Sequence, residues 1–297
     1  MASKEFIAFQ EKMAQNPPPP PAKDLNESRA RIDAAMGGLP LAEGTTATEV
    51  SANGVKAYLQ QREGGENDPL VIYFHGGGYR IASALAYRAY LSNLVVHTKV
   101  RVLNVDYRLA PENRFPAAVD DGLAAYKWAL AQGTPASRIV IAGDSAGGGL
   151  TAAVLLAAKQ NGVAQPAGAI CLSPWSDLRN TAASYTTKST TDKLFSLTAA
   201  TEASGLYLGT TAATNPLASP NLGDLSGVAP LLVLVGDVEV LLDDAYALVD
   251  RARACGTQAE LHVFPDMPHV WMLSYPAYPE AGQAFDLMDA FVHDVAK

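Results

Sequence analysis

Short hydrophobic runs alternate with helix-like segments along most of the chain, from about residue 46 onward. The runs are rich in β-branched residues and apolar throughout, which is typical of strands covered on both faces. They predict strands over residues 55–59, 70–74, 100–105, 139–142, 168–172, 231–235 and 261–264. The segments between them predict helices over residues 87–98, 117–132, 146–160, 243–255 and 280–295. This alternation predicts an α/β fold with a mostly parallel, doubly wound sheet.

The region before residue 46 has a different pattern. Phe6, Phe9 and Met13 recur at helical spacing, and a second apolar stripe follows and stops at Gly37-Gly38. Pro17 to Pro21 exclude a helix and predict an extended connector between the two stretches. We therefore expect two short N-terminal helices joined by a stiff linker.

A second departure from the alternation lies between residues 178 and 227. No buried-strand run occurs there, although residues 196–209 have the spacing of a helix. An excursion of this length in a compact domain usually forms a lid or a binding region. We therefore expect one domain over residues 1–297, with a small helical cap formed by about residues 1–42 and about residues 178–225.

Charge and composition narrow the range of partners. The 297 residues include 22 lysines and arginines against 30 aspartates and glutamates, a net charge of -8. Nucleic acids and anionic membranes need a concentrated basic patch, so we expect neither as a partner. The N-terminus lacks an apolar signal segment, no stretch reaches the roughly 18 apolar residues of a membrane span, and two cysteines are too few for a disulfide framework. We expect a cytoplasmic protein with no stable membrane association and a small-molecule substrate.

The motif Gly143-Asp144-Ser145-Ala146-Gly147 points to nucleophilic chemistry. It follows a hydrophobic strand run and opens a helical stretch, which is the strand–turn–helix setting of a nucleophile elbow. Only small residues fit two positions before and after the serine, because the sharp turn that exposes its hydroxyl crowds them. The start of the helix adds free N–H groups and positive dipole character beneath the reacting centre. We therefore expect Ser145 to be a nucleophile.

A serine nucleophile needs a base and an orienting acid. Of the five histidines, only His269 lies in a loop just beyond the last hydrophobic run, where the chain order Ser, acid, His places the base. The acid should follow the run over residues 231–235. Two aspartates farther on have the position of a helix start, which leaves Asp237 and Glu239. Their spacing from the strand does not separate them.

The segment His75-Gly76-Gly77-Gly78 follows the strand run over residues 70–74. An HGGG-type loop at this position donates backbone N–H groups to a developing oxyanion, and glycines let the backbone approach the substrate without a Cβ in the way. With the N–H of Ala146, this loop predicts an oxyanion hole. No cluster of metal ligands is visible in the sequence, so we expect no metal and no cofactor.

Four ordered motifs resemble those of the bacterial hormone-sensitive-lipase family of α/β-hydrolase serine carboxylesterases. They are His75-Gly-Gly-Gly-Tyr79, Asp106-Tyr-Arg-Leu-Ala-Pro-Glu112, Gly143-Asp-Ser-Ala-Gly-Gly148 and Leu172-Ser-Pro-Trp175, and the resemblance covers about residues 40–297. It implies the α/β-hydrolase fold, an oxyanion hole formed by Gly77, Gly78 and Ala146, and a structural role for His75. It also allows a homodimer formed through the last strands.

The resemblance also favours one of the two candidates for the triad acid. The family commonly carries the pattern Asp-Pro-Leu-x-Asp, whose first Asp belongs to the triad. Laid on this chain without gaps, the pattern falls on Glu239-Val240-Leu241-Leu242-Asp243, with Glu in place of Asp and Val in place of Pro. A glutamate can still accept a hydrogen bond from an imidazole, and the fold admits either acid. The resemblance thus implies Glu239 as the acid, with Asp237 as the fallback.

Together these residues predict a serine carboxylesterase that hydrolyses small esters, of short-to-medium acyl chain, through an acyl-enzyme and a Ser145-His269-Glu239 triad. Amide hydrolysis is the alternative, because both reactions use the same triad. A non-catalytic small-molecule receptor of the same fold is disfavoured, because all three triad residues are present. Tyr79, Trp175 and residues around Tyr185 to Leu206, with Leu206 singled out, are predicted as walls of the substrate pocket from their positions alone.

Overall fold

A computed structural model describes residues 2–15 and 20–297, so most of the connector predicted at Pro17 to Pro21 lies outside the described residues. Within them the chain forms one eight-stranded sheet. Its strands are β1 (Thr45–Ala52), β2 (Val55–Arg62), β3 (Leu70–Phe74), β4 (Arg101–Val105), β5 (Ile139–Asp144), β6 (Gly168–Leu172), β7 (Leu231–Gly236) and β8 (Ala259–Phe264).

The described helices follow the strands in the predicted alternation. They are α1 (Lys4–Ala14), α2 (Leu25–Met36), α3 (Ala84–Thr98), α4 (Ala117–Ala131), α5 (Ala146–Gln160), α6 (Ser184–Thr187), α7 (Leu197–Leu208), α8 (Leu242–Ala254) and α9 (Pro279–Val295). None of the helices in the described ranges is both long and apolar enough to cross a membrane.

The sheet has the order β1-β2-β4-β3-β5-β6-β7-β8. Strands β3 to β8 pair in parallel, whereas β2 runs antiparallel to both β1 and β4. The predicted α/β class with a mostly parallel sheet is therefore confirmed. Because the carboxyl ends of parallel strands meet at one edge, the loops that follow β3, β5, β6, β7 and β8 lie close together.

Alternate residues of one strand enter two different cores. On β3, Ile72 and Phe74 pack into a core that also holds residues of α4, α5 and α8, whereas Val71 and Tyr73 pack into a core with α3 and α9. Helices therefore cover both faces of the sheet. This two-sided burial is the physical reason for the uninterrupted apolar runs in the central strands.

The hydrophobic pattern did not predict β1 or the short helix α6. Strand β1 lies at the edge of the sheet, and only Ala52 at its end is buried. Its sequence, Thr-Thr-Ala-Thr-Glu-Val-Ser-Ala, contains no apolar run, because an edge strand with solvent on its sides needs none.

Both segments assigned to the cap contain helices that pack on other elements of the domain. Helix α1 packs on α9, where the rings of Phe6 and Tyr278 are 5.0 Å apart. Helix α2 packs on α3. Helix α7 approaches the glycine loop after β3, where Arg80 forms an ion pair with Glu202 over 2.9 Å. The single domain with a two-part cap stays a prediction.

Candidate active site

Ser145 lies at the turn between β5 and α5, with φ 54° and ψ -119°. Few non-glycine residues adopt a positive φ, so the surroundings must hold this turn in place. The N–H of Ser145 donates to the carbonyl of Leu172 over 2.8 Å. A Cβ on Gly147 would lie 1.9 Å from the carbonyl oxygen of Phe74, which shows why a glycine follows the serine at this spacing.

His269 and Glu239 continue a chain of hydrogen bonds from Ser145. Nε2 of His269 lies 2.9 Å from Oγ of Ser145, and Nδ1 lies 2.7 Å from Oε2 of Glu239. All three residues are buried, with 7%, 6% and 0% of Ser145, His269 and Glu239 exposed. With its proton on Nδ1, His269 donates to Glu239 and accepts from the serine hydroxyl through Nε2.

The structure separates the two candidate acids. Oε1 of Glu239 accepts from the backbone N–H of Gly236 at 2.6 Å and from Oγ of Ser173 at 2.7 Å, while its other oxygen faces His269. Oδ1 of Asp237 instead accepts from the backbone N–H of Asp266 over 2.7 Å. Asp237 therefore braces the loop that leads to His269, and Glu239 is the carboxylate beside the imidazole.

Two opposing effects act on the pKa of His269. Burial disfavours the imidazolium and lowers the pKa, whereas the hydrogen bond and the negative charge of Glu239 raise it. The hydrogen bond and charge of Glu239, with smaller contributions from the charges of Asp192 and Asp144, outweigh burial, and the pKa of His269 lies above its ordinary value of 6.5. This arrangement stabilises the imidazolium that forms when the ring takes a proton from a serine.

The glycine loop after β3 lies against the serine. Gly77 has φ +111°, and a Cβ there would lie 2.2 Å from the carbonyl oxygen of Ile81, so only glycine fits. Gly77, Gly78, Ser145 and His269 line one cavity. Ala146 begins α5 and is fully buried beside the serine. The structure thus brings all three predicted oxyanion donors to the neighbourhood of Ser145.

A buried carboxylate links the glycine loop to the serine turn. Asp144 accepts hydrogen bonds from the hydroxyls of Tyr73 at 3.0 Å and Tyr87 at 2.9 Å, and from the N–H of Gly76 at 3.0 Å. Burial raises the pKa of Asp144 to about 6, although the hydrogen bonds from Tyr87 and Tyr73 act in the opposite direction. Sequence reasoning missed this network, because the position of Tyr87 in a helix carries no local sign of it.

His75, the first residue of the same loop, is buried and makes its contacts with Gly76 and Tyr107. Its ring stacks on Tyr107 at 4.4 Å, and its Nδ1 lies 2.7 Å from the carbonyl oxygen of Gly76. The hydroxyl of Tyr107 donates to the carbonyl of His75 over 2.7 Å. Burial lowers the pKa of His75, which favours a neutral ring. The predicted structural role of His75 stays a prediction.

The cavity at Ser145 has a volume of about 230 Å³. Beyond the site residues, its walls include Leu194, Phe195 and Ala199 from the excursion after β6. None of the three predicted wall residues lines it. Trp175 is buried behind Phe195, with the two rings 5.6 Å apart, and Tyr79 is buried against Trp175 with their rings 6.0 Å apart.

Leu206, the third predicted wall residue, is half-buried on α7 and lies about two turns beyond Ala199. The observed walls Leu194, Phe195 and Ala199 lie within the predicted range around Tyr185 to Leu206, but position in the sequence does not tell which side chains of that range face the cavity. Over residues 2–15 and 20–297, no group of three or more His, Cys, Asp or Glu side chains could hold a metal ion.

Comparison with known proteins places the chain in a family. A family model described as alpha/beta hydrolase fold matches residues 71–273. A solved structure of an esterase from the bacterial hormone-sensitive lipase family superposes with a TM-score of 0.94, at 41% identity over 100% of both chains. The chain belongs to the bacterial hormone-sensitive lipase family.

Two further proteins similar to this chain are named as hydrolases of esters or acetyl groups. An acetyl-hydrolase of Streptomyces hygroscopicus is 42% identical over 222 residues, which make up 75% of this chain and 74% of that protein. An esterase/lipase from an uncultured bacterium has a TM-score of 0.93 and 35% identity, over 99% of both chains. This member of the hormone-sensitive lipase family is accordingly a carboxylic ester hydrolase, as the motifs predicted.

Proposed function

We propose that this enzyme hydrolyses small carboxylic esters of short-to-medium acyl chain through an acyl-enzyme, with Ser145, His269 and Glu239 as its triad. The observation that carries the proposal is the continuous series of contacts from Ser145 to His269, at 2.9 Å, and from His269 to Glu239, at 2.7 Å. Ser145, at one end of this series, lines a cavity beside the glycine loop.

The first step forms the acyl-enzyme. Nε2 of His269 takes the hydroxyl proton as Oγ of Ser145 attacks the ester carbonyl carbon, and Glu239 stabilises the resulting imidazolium. The N–H groups of Gly77, Gly78 and Ala146 donate to the developing oxyanion. When the tetrahedral intermediate collapses, Nε2 of His269 returns the proton to the leaving alcohol.

The second step regenerates the enzyme. A water molecule replaces the alcohol, and His269 takes one of its protons as the water oxygen attacks the acyl carbonyl. The second tetrahedral intermediate uses the same oxyanion donors. Its collapse breaks the bond to Oγ, returns the proton to Ser145 and releases the carboxylic acid.

The size of the cavity supports a small substrate. Its volume of about 230 Å³ is below the roughly 300–1,000 Å³ of pockets that hold drug-sized ligands. Leu194, Phe195 and Ala199 supply an apolar wall for a short acyl chain. The name of the Streptomyces relative, an acetyl-hydrolase, agrees with an acyl group at the short end of this range.

An acyl-chain series of 4-nitrophenyl esters tests the proposal on wild type, Ser145→Ala, Glu239→Ala and Asp237→Ala. We expect activity to fall as the acyl chain lengthens, Ser145→Ala to be inactive, and Glu239→Ala to lose far more activity than Asp237→Ala. Full activity in Ser145→Ala would refute the proposal. The rates at which wild type hydrolyses a matched ester and anilide distinguish ester hydrolysis from the alternative of amide hydrolysis.

The remaining predictions concern location and assembly. A cytoplasmic location, the absence of stable membrane association and a homodimer through the last strands stay predictions. Strand β8 is an edge of the described sheet, so a second copy would pair with it edge to edge. Comparing the sedimentation of wild type with that of a variant that carries a proline in β8 tests the dimer. Proline has no backbone N–H to donate to a strand of a second copy.

A further inference from the structure

Arg80 lines the cavity at Ser145 and carries a positive charge. Among the cavity-lining residues in the described part of the chain, it is the only lysine or arginine. The other charged or titratable groups there are engaged: the Asp144 carboxylate accepts from two tyrosine hydroxyls and a backbone N–H, and His269 contacts Ser145 and Glu239. Arg80 is therefore the cavity cation that can meet an incoming ligand.

The backbone of Arg80 is held in place from both sides. Its N–H donates to the carbonyl of Gly77 over 3.1 Å, and its own carbonyl accepts from Nε of Arg29 over 2.8 Å. A Cβ on Gly78 would lie 3.8 Å from Nε of Arg80. Nε of the guanidinium group thus lies close to a predicted oxyanion donor, so a substrate group bound to the guanidinium would be only a few bonds from the scissile carbonyl.

The partner of Arg80 can be exchanged for a ligand. Nη1 of Arg80 lies 2.9 Å from Oε1 of Glu202 on α7, and the Arg80 side chain is 17% exposed whereas that of Glu202 is 62% exposed. An ion pair with one partner largely in water contributes little, because water screens it and the long side chains lose freedom. The planar guanidinium can also bind a second carboxylate through its remaining N–H groups.

We propose that Arg80 is a specificity-determining residue that binds an anionic group of the substrate, so that the enzyme favours esters carrying a carboxylate a few bonds from the scissile carbonyl. The proposal rests on the function proposed above. It assigns Arg80 to substrate binding and leaves the covalent steps to Ser145, His269 and Glu239.

Two matched pairs of esters test the proposal and show which side of the ester carries the anion. Monoethyl succinate has its carboxylate on the acyl side, and ethyl levulinate replaces that carboxylate with a ketone of the same shape. Acetoxyacetate has its carboxylate on the alcohol side, and acetoxyacetone is the matching ketone. For each pair, the measured quantity is the ratio of kcat/KM for the anionic ester to kcat/KM for the neutral ester.

In Arg80→Met we expect this ratio to fall at least about ten-fold for one of the pairs, because a charge-assisted hydrogen bond is lost. Arg80→Lys keeps the charge and should hold the ratio within about three-fold of wild type. Glu202→Gln frees Arg80 from its partner and should raise the ratio. Arg31→Met is the matched control, because Arg31 forms its ion pair with Glu27 within α2 and does not line the cavity, and its ratio should equal that of wild type.

The proposal would be overturned if Arg80→Met lowered kcat/KM equally for the anionic and the neutral ester of both pairs, so that neither ratio changed. Arg80 would then only join α7 to the glycine loop. If Arg80→Met fails to fold, Glu202→Gln decides the question, because an unchanged ratio in that variant would also contradict the proposal. Failure of the proposed function has a different signature: Ser145→Ala would hydrolyse the neutral ethyl levulinate as fast as wild type.

Discussion

The hydroxyl of Ser173 donates a hydrogen bond of 2.7 Å to Oε1 of Glu239. The same hydroxyl oxygen accepts from the backbone N–H of Val270 at 3.2 Å, next to His269 in sequence. Ser173 therefore joins the loop that carries the proposed acid to the loop that carries the proposed base. It lies directly after β6, with φ 44°, and is fully buried.

Replacing Ser173 with alanine should lower kcat about ten- to one-hundred-fold, because a hydrogen bond to a charged group contributes about 1.5–3 kcal/mol. The carboxylate would lose one of the donors that hold it against His269. Ser184→Ala is the matched control: Ser184 is also buried, but it donates to the carbonyl of Val240 rather than to Glu239. Equal kcat values in the two variants would contradict this role of Ser173.

The pH dependence of kcat/KM should have an acid limb above 6.5, because the pKa of His269 is raised and only the neutral ring can accept the serine proton. Protonation of His269 as the pH falls through this pKa removes the base, so activity is lost toward low pH. Glu239→Gln removes the strongest of the effects that raise the pKa, whereas burial, which lowers it, remains, and so do the weaker charges of Asp192 and Asp144, which raise it. The limb should therefore move to lower pH.

In Glu239→Gln we also expect kcat to fall by about 10⁴, as when the acid of a serine protease triad is replaced by its amide. Asp237→Asn should keep the acid limb of wild type, because Asp237 bonds to the backbone of Asp266 and not to the imidazole. If the acid limb of the kcat/KM profile moved in Asp237→Asn and stayed in place in Glu239→Gln, the assignment of the acid would be reversed.

Two glycine-to-alanine substitutions should have opposite effects on stability. Gly77→Ala places a Cβ 2.2 Å from the carbonyl oxygen of Ile81 at φ +111°, so the glycine loop must shift. We expect a lower Tm, and a kcat reduced about 10²–10³-fold because an oxyanion donor is displaced. Gly205 lies within α7, and a Cβ there meets no atom within 4 Å.

Gly205→Ala should therefore raise the free energy of unfolding by about 0.4–1 kcal/mol, because alanine loses less backbone freedom on folding than glycine. Thermal and urea unfolding of both variants measure the two effects. A stability gain in Gly77→Ala would show that the loop has a different conformation in solution.

Tyr87→Phe removes a hydroxyl that donates to Asp144 and accepts from the N–H of Gly76. Because the hydrogen bond from Tyr87 lowers the pKa of Asp144, which is about 6, the substitution should raise that pKa further. A neutral Asp144 no longer favours the positive charge that forms on His269. We expect kcat to fall about ten-fold, with a greater loss on the acidic side of the profile.

Tyr278→Phe is the control for this experiment, since its hydroxyl donates to the carbonyl of Trp271 over 2.7 Å, outside the Asp144 network. Profiles of kcat against pH for both variants, each compared with wild type, separate a local effect on Asp144 from a general loss of packing. A profile for Tyr87→Phe that parallels wild type would exclude the link between Asp144 and the proton transfer.

Much of the fold and the site could be predicted from the sequence because the relevant signals are local. A strand buried on both faces must be apolar along its whole length, so β3 and β6 begin and end where their hydrophobic runs do. Ser145, Glu239 and His269 each follow a strand of the parallel sheet, and parallel strands bring such positions to one edge. The topology of the sheet therefore brings these three residues close together.

Other features depend on contacts that only the tertiary structure shows. Glu239 and Asp237 are two residues apart, and the difference between them comes from contacts with Ser173, Gly236 and His269 that no local pattern records. Likewise, the cavity walls are Leu194, Phe195 and Ala199 rather than the residues nearest the motifs.

The physical reason is one of scale. Periodicity and strand–helix alternation place a backbone segment in the sheet, because burial acts over whole elements. The direction of one side chain depends on contacts of a few ångströms with segments far away in sequence, as between Ser173 and Val270 or Arg80 and Glu202. The sequence by itself therefore determined the fold and the family and predicted the nucleophile with its base, whereas the tertiary structure decided which carboxylate lies beside the imidazole, which contacts hold it there and which residues form the walls of the cavity.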